Sequence, residues 1–550
     1  MDNAARHARR WAALAAGAVA LLTRLPFAAR RLWDHDSIQF ALGVERYDLA
    51  AHHPHPPGYP LYIGLLKLLA ALGVDPLHGM VGMAILAAGL GAAFLVLLVP
   101  ELIEEAGVAA DDPGLVPGLF AAALFIFNPL LWFYGELPLL YAVEGGLTVV
   151  VAWAAWRMAE SRGHFLGACA LFALVGGLRQ STMVLLAPLF LYGVWRTFRR
   201  GRLTWGLFLG GAVLGGALVL AWFVPLCLLA GGYGAYRRIS AEHFATLLPQ
   251  TSILYGAGWG ALEHNLTVLA KWAIQGVLPG VAALAVLFAI APSSIRAGLR
   301  LLRARAPFLA AWALPPMLFF ALFHLTKAGY TLVHLPALLV VLALLASPGL
   351  AVPEGRARVA RIAAFLVAIG LGAGLFLFGA DREPTQSRLW FPLRHEWNRG
   401  SIATYERELD ETIATVRQYP PESTVLVAVE LSGTGSAGAQ GFLYSWHRHL
   451  QWYLPEYLVV QAVPEEDFAL VARGHEPFQK ELSQVTLPAT TERLLFVLSG
   501  PTGDRLPLGL GAVGTHGKNF YLTTVPFGGR RQLGPLVFIS PPKPARRKAA

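Results

Sequence analysis

Trp33-Asp34-His35-Asp36-Ser37 is followed shortly by His52-His53-Pro54-His55-Pro56-Pro57-Gly58-Tyr59-Pro60. Together these stretches put carboxylates and imidazoles directly behind the first apolar segment, residues 11–28. Ionisable groups at the edge of a membrane-spanning region are costly to desolvate and have no structural need to be there. Their presence asks for a chemical role.

The chain around them is built for lipid. Of its 550 residues 55% are hydrophobic and only 14% charged, with a mean hydropathy of +0.52. Ordinary soluble domains carry about 25% charged residues, so this much apolar surface belongs in a bilayer rather than in one oversized core. The net charge of +10 would suit a nucleic-acid partner, but the basic residues fall in short runs between apolar segments, as membrane proteins keep them. Nucleic acid is therefore excluded as a partner. Cys169 and Cys227 lie inside apolar runs and offer neither a disulfide framework nor metal-ligand spacing. Arg6, Arg9 and Arg10 precede the first apolar run, as in a signal peptide. That run is too long for a signal core and ends in Arg24, Pro26, Arg30 and Arg31 without a small-residue cleavage site, so it reads as a first transmembrane helix.

Further spans of about 20 apolar residues are expected at 79–100, 114–133, 138–156, 163–178, 180–196, 204–230, 266–292, 307–325, 330–348 and 362–380, about eleven in all. With the N-terminus in the cytoplasm, Arg157 and Arg162, the run 196–202, Arg296, Arg300, Arg303 and Arg305, and Arg356, Arg358 and Arg361 all fall inside. The acidic loop 101–112 is an exception on that side. This parity requires residues 61–72, short and carrying Lys67, to be interfacial or re-entrant rather than spanning. Beyond 380 the composition turns polar. Strand-like 424–429 and 494–498 and a helical patch at 401–417 suggest a soluble α/β domain. The expected plan is a mainly α polytopic membrane module at 1–380 with its first outer loop at 29–78, an extracytoplasmic α/β domain at 381–540, and a disordered basic tail at 541–550.

The same parity gathers ionisable residues on the outer face: Asp34, Asp36, His52, His53 and His55, then Glu136, Arg179, the loop 231–265 with Arg237, Arg238, Glu242 and His243, and finally His324, Lys327 and Tyr330. A lipid-linked sugar transfer needs this inventory. A carboxylate takes the proton of the acceptor hydroxyl, cations stabilise the departing lipid phosphate, and apolar helices hold the polyprenyl tail.

The order of elements resembles the GT-C superfamily of polyprenyl-phosphate-sugar glycosyltransferases, especially the protein O-mannosyltransferase-like branch that includes the dolichyl-phosphate-mannose-protein mannosyltransferases. The resemblance rests on Asp36-Ser37 after the first span, His55-Pro56-Pro57-Gly58-Tyr59-Pro60-Leu61-Tyr62, the stretch from Asn128-Pro129 to Tyr141 with Glu136, Gly177-Leu178-Arg179-Gln180-Ser181, and Gly329-Tyr330 before Leu335-Pro336. It covers residues 1–380 and implies that the acid of the first outer loop, Asp36, is the catalytic base. The family often has Asp-Glu where this chain has Asp34-His35-Asp36, so Asp34 stays open as the alternative base, and Glu136 joins them as a catalytic candidate. His53, His55, Tyr59, Arg179, Gln180, His324, Lys327 and Tyr330 are the expected substrate-binding residues.

Blander readings stand beside these. Asp34 or Asp36 would cap a helix starting near Ser37. Arg179 would form an ion pair at a helix end, Glu136 would be a satisfied polar group at a helix terminus, and Tyr330 would be an interfacial anchor. His52, His53 and His55 lack a Cys or acid to complete a tetrahedral zinc set. No residue is assigned to a metal and no cofactor is expected, with a divalent cation such as Mg or Mn between Asp36 and Glu136 left open because GT-C branches differ in using one.

The expected function is an inverting glycosyltransferase of the plasma (inner) membrane, moving one sugar, with mannose favoured, from a polyprenyl phosphate to a protein, lipid or glycan hydroxyl. The alternatives are a transporter or flippase for a lipid-linked solute, a polysaccharide polymerase or ligase using a lipid diphosphate, and a scaffold. Transporters tend to show repeated halves and mid-span charges, and neither stands out in this sequence.

Overall fold

The computed structural model describes residues 3–105, 115–325, 327–351, 355–379, 396–429, 446–464, 469–473, 484–499, 515–516, 520–533 and 536–542. Asp381, Glu383, most of the expected acidic loop and most of the basic tail lie outside the described residues. The chain divides into two compact units, Met1–Arg30 with Tyr59–Ile402, and Arg31–Gly58 with Ala403–Ala550. The stretch expected as part of the first outer loop thus groups with the C-terminal residues.

In chain order the helices are α1 (Asn3–Arg24), α2 (His35–Glu45), α3 (Pro60–Ala71), α4 (Pro76–Glu104), α5 (Leu115–Ile126), α6 (Pro129–Tyr134), α7 (Leu140–Arg157), α8 (Arg162–Leu178), α9 (Gln180–Arg199), α10 (Trp205–Leu229), α11 (Tyr233–Thr251), α12 (Gly258–Ile290), α13 (Ser294–Leu322), α14 (Leu335–Ala351), α15 (Gly355–Phe378), α16 (Arg399–Val416) and α17 (Trp446–Tyr453). Among them α4, α9, α10, α12, α13 and α15 are long and apolar enough to cross a membrane, and α3, α5, α8 and α14 are shorter apolar helices. The first unit is therefore a multi-pass helical bundle, and each expected span has a helix in it.

Three local departures have sequence causes. The expected span 114–133 is broken into α5 and α6 at Asn128-Pro129. Asn128 Oδ1 caps α6 by accepting from Leu130 N (3.1 Å) and Leu131 N (3.3 Å), and its Nδ2 donates to the Gly276 carbonyl at 2.6 Å. The expected outer loop 231–265 contains α11 rather than irregular chain. Arg296, Arg300, Arg303 and Arg305, read as a loop, lie on α13.

Close packing is set by small residues. A Cβ on Gly146 of α7 would collide with the Ala87 carbonyl of α4, so only glycine lets these helices meet at that depth. At the C-terminal end of α4 the acids Glu101, Glu104 and Glu105 are all taken by arginines. Arg157 reaches Glu101 at 2.7 Å, Arg9 reaches Glu104 at 2.5 Å and Arg200 reaches Glu105 at 2.6 Å. Arg196 also pairs with Glu105, and Arg200 with Glu160 at 2.9 Å. Arg196 and Arg305 both lie over the Trp156 ring, at 3.9 and 5.2 Å, and Arg305 Nε donates to the Leu102 carbonyl at 2.7 Å. The acids that broke the positive-inside pattern are the partners of its arginines.

The second unit is α/β. Its strands are β1 (Thr424–Val429), β2 (Leu458–Pro464), β3 (Ala469–Arg473), β4 (Gln484–Thr486), β5 (Arg493–Ser499), β6 (Thr515–His516), β7 (Phe520–Pro526), β8 (Arg530–Leu533) and β9 (Leu536–Ile539). A six-stranded sheet runs β3-β2-β1-β5-β7-β6 and a three-stranded one β4-β9-β8. β1 pairs in parallel with both β2 and β5, with Val427 opposite Val460 and Phe496. Its unbroken apolar run suits a strand covered on both faces. Tyr405, Leu409, Ile413 and Val416 of α16, Leu450 of α17 and Leu454 just after it pack on this sheet, with Trp33 from the early segment joining the same cluster.

Candidate active site

In the second unit Asp34 caps α2. Its Oδ1 accepts from Asp36 N (3.0 Å) and Ser37 N (3.3 Å), and Ser37 Oγ is in reach of the Asp34 backbone N–H at 3.2 Å, completing a capping box. That geometry gives Asp34 the blander of its two readings and leaves Asp36 in the first turn, where the helix N-terminus favours negative charge. Asp36 Oδ1 lies 3.0 Å from His35 Nε2 and 3.9 Å from His55 Nδ1, and the His55 ring meets Phe40 at a tilt, 5.6 Å between centroids. The carboxylate is thus set between two imidazoles with its side chain 13% exposed. His53 is turned away from such a role, because its Nε2 lies 2.8 Å from Arg448 Nη1 and serves as an acceptor.

In the first unit Arg179 is the single extended residue between α8 and α9, with φ −154 and ψ 117. Its Nη1 pairs with Glu144 of α7 at 2.5 Å, and Thr182 Oγ1 donates to the other Glu144 oxygen. The guanidinium lies over Tyr330 at 5.1 Å and Tyr141 at 5.6 Å, contacts worth about 0.5–2 kcal/mol each. The Tyr59 hydroxyl acts on it electrostatically as well. Among the described residues its remaining nitrogens, Nε and Nη2, make no hydrogen bond. An arginine anchored at one nitrogen and stacked on two rings presents its other edge for a ligand.

Gly329 explains the approach of Tyr330. A Cβ there would run into the Tyr141 ring and come within 3.0 Å of Tyr134 Cε1. Tyr141 meets Tyr134 and Tyr330 edge-on at 5.4 and 5.3 Å, and His324 meets Tyr330 at 5.7 Å. Tyr59 sits in the left-handed region at φ 50, a conformation that residues with a Cβ hold only where surrounding structure enforces it. Glu136, the third catalytic candidate, lies in the same unit. It is fully buried, in the field of Arg24, whose Nη2 donates to the Ile126 carbonyl at 2.7 Å.

Residues 47–202 match the family model described as the protein O-mannosyl-transferase TMEM260 N-terminal domain. Two crystal structures of ArnT from Cupriavidus metallidurans, in the apo state and bound to undecaprenyl phosphate, share the fold. Each is 13% identical, with TM-scores of 0.50 and 0.52, over 92% of this chain and 96% of that one. Residues 47–202 thus resemble an O-mannosyl-transferase domain, and the chain shares its fold with ArnT. No curated protein matches it in sequence.

The bundle brings together Arg179, Tyr59, Tyr330 and His324 of the expected binding set, and the second unit brings together Asp36 and His55. Gln180 opens α9 beside Arg179, and Lys327 precedes the 3₁₀ turn Ala328–Val333 that carries Tyr330. Sequence reasoning missed Glu144 and Thr182, although an acid inside an apolar span is itself a signal. It also missed His447, Arg448 and His449, of which Arg448 reaches His53 across 395 residues. His447 is fully buried there, and desolvation, followed by the nearby Arg448, His35, His449 and His52, holds its imidazole well below its ordinary pKa. Burial likewise pushes the Tyr453 hydroxyl up to about 12. Among the described residues no group of three or more His, Cys, Asp or Glu side chains is arranged to hold a metal ion.

Proposed function

We propose that this protein is a glycosyltransferase that moves one sugar, mannose, from a polyprenyl phosphate to an acceptor hydroxyl of a protein on the outer side of the plasma membrane, with its N-terminus in the cytoplasm. The arginine-rich end of the bundle is the cytoplasmic one under the positive-inside rule. The observation that carries the donor assignment is Arg179, held by Glu144, stacked on Tyr141 and Tyr330, and open along Nε and Nη2. Undecaprenyl phosphate, bound in one of the structurally similar proteins, offers an anion of the kind such a fork accepts.

The reaction is a single displacement that inverts the sugar. Asp36 accepts the proton of the acceptor hydroxyl as its oxygen forms a bond to the anomeric carbon. The bond from that carbon to the phosphate oxygen breaks, and the lipid phosphate leaves with the electron pair. Arg179, with Lys327 and His324 as auxiliary donors, meets the charge that grows on the phosphate. His35 and His55 orient the Asp36 carboxylate.

The test uses membranes carrying the full chain and radiolabelled undecaprenyl-phosphate mannose. Asp36→Asn is expected to lower transfer by about 10²–10⁴-fold at unchanged expression. Normal transfer by that variant removes Asp36 as base, and no transfer by the wild type removes this donor.

A further inference from the structure

The second unit holds side chains that the reaction leaves unused, His447, Arg448 and His449 at the start of α17. Arg448 is fully buried. Its Nη2 donates to the Ala51 carbonyl at 2.6 Å, and its Nη1 to His53 Nε2 at 2.8 Å and Gln451 Oε1 at 3.2 Å. Taking a guanidinium wholly out of water is expensive, and here its donors are aimed at the loop that follows α2.

That loop is constrained at every step toward Asp36. Asp48 and His53 exchange backbone hydrogen bonds of 2.7 and 2.8 Å, closing a short hairpin. Inside it His52 is held in the left-handed region at φ 59. Pro54 then presses on α2 at Gly43, where an added Cβ would lie 3.0 Å from Pro54 Cδ. His55 follows, on Phe40 and beside Asp36. The start of the segment is tied to the same unit. Tyr453 Oη accepts from Leu32 N at 2.8 Å, Tyr405 Oη donates to the Leu32 carbonyl at 3.1 Å and meets His449 Nε2 at 2.7 Å, and Arg31 Nε pairs with Asp410 at 2.7 Å.

We propose that Arg448 is a positioning residue for the transfer reaction. By holding Ala51 and His53 it fixes His55, and through His55 the direction of the Asp36 carboxylate. The inference rests on Asp36 acting as base. Because His53 Nε2 accepts from Arg448, its proton sits on Nδ1, and the imidazole serves this clamp rather than the substrate.

The full-length chain is assayed in membranes with radiolabelled undecaprenyl-phosphate mannose as Arg448→Met, Arg448→Lys and Asp36→Asn. Arg448→Met is expected to lower kcat by about 10²-fold, the effect of a small misplacement of a catalytic group. Donor KM should stay within about twofold, because ground-state binding is untouched. The pH dependence of kcat should move, since the Asp36–His55 contact is loosened. Arg448→Lys, which keeps a donor for Ala51 or His53, should recover part of both. Wild-type kcat and pH profile in Arg448→Met overturn the proposal. So does a lowered kcat with an unmoved profile and no recovery by lysine, the mark of a merely structural residue. Should Arg448→Met fail to accumulate, Arg448→Lys decides alone: reduced kcat with a moved profile supports the proposal, and wild-type values overturn it. Turnover retained by Asp36→Asn overturns the base assignment and this inference with it. A dead Asp36→Asn beside an unaltered Arg448→Met overturns this inference only.

Discussion

The two ends of the helix bundle treat buried arginine in opposite ways. At the C-terminal end of α4 the guanidiniums of Arg9, Arg157, Arg196 and Arg200 each find a carboxylate on a neighbouring helix, and Arg305 finds a carbonyl and the Trp156 face. Their charges are consumed in tying α1, α4, α7, α9 and α13 together. At the α8–α9 junction Arg179 has one carboxylate, Glu144, engaging one nitrogen, while two tyrosine rings hold the guanidinium plane. The difference teaches that pairing alone does not classify an arginine. What matters is how many of its donors remain for something outside the protein.

The comparison breaks most visibly at Arg179. Arg179→Lys keeps a cation for Glu144 but loses the planar fork. Transfer from undecaprenyl-phosphate mannose should fall by about 10²-fold or more, with the melting temperature of the purified chain nearly unchanged. A variant that transfers normally but melts early would place Arg179 with the structural arginines. At the other end the pattern should reverse. Glu105→Gln leaves Arg196, only 6% exposed, without its carboxylate. Removing one partner of a fully buried pair costs about 3–5 kcal/mol, and because Glu105 is 34% exposed the expected loss is discounted to about 2 kcal/mol. Thermal unfolding would show it, and donor KM would not move. A shifted KM in Glu105→Gln would erase the distinction between the two ends.

Much of this architecture can be read from residue order. Long apolar runs name α4, α10 and α12, and the β-branched run of β1 names a covered strand, because each signal is local and repeated over many residues. Asp36, His55 and Arg179 were legible as candidates because ionisable groups beside apolar runs stand out. The functions of their partners were not. Glu144 is one acid within the apolar run of α7, and only the fold shows that Arg179, 35 residues later, reaches it. Arg448 and His53 are 395 residues apart, so no window on the sequence joins them. The break between α5 and α6 was missed for another reason: hydropathy continues through Asn128-Pro129, and the capping hydrogen bonds that end one helix and start the next carry no apolar signal.

The second unit answers the problem of buried charge a third way, with an imidazole kept neutral, and this sharpens the contrast with the arginines by making it depend on pH. His447 is fully buried and its folded pKa is depressed, first by desolvation and then by Arg448, His35, His449 and His52. An unfolded histidine titrates near 6.5. Below that value the unfolded chain binds a proton that the folded chain refuses, so the contribution of His447 is complete above about pH 6.5 and is lost as pH falls through it. Between pH 7.5 and 5.5 the loss should be on the order of 1 kcal/mol, read from thermal unfolding of the full chain. Guanidiniums as a class do not titrate in this range. His447→Gln should flatten the pH dependence by that amount, and an unchanged slope in the variant would show that another group governs the acid lability of this unit.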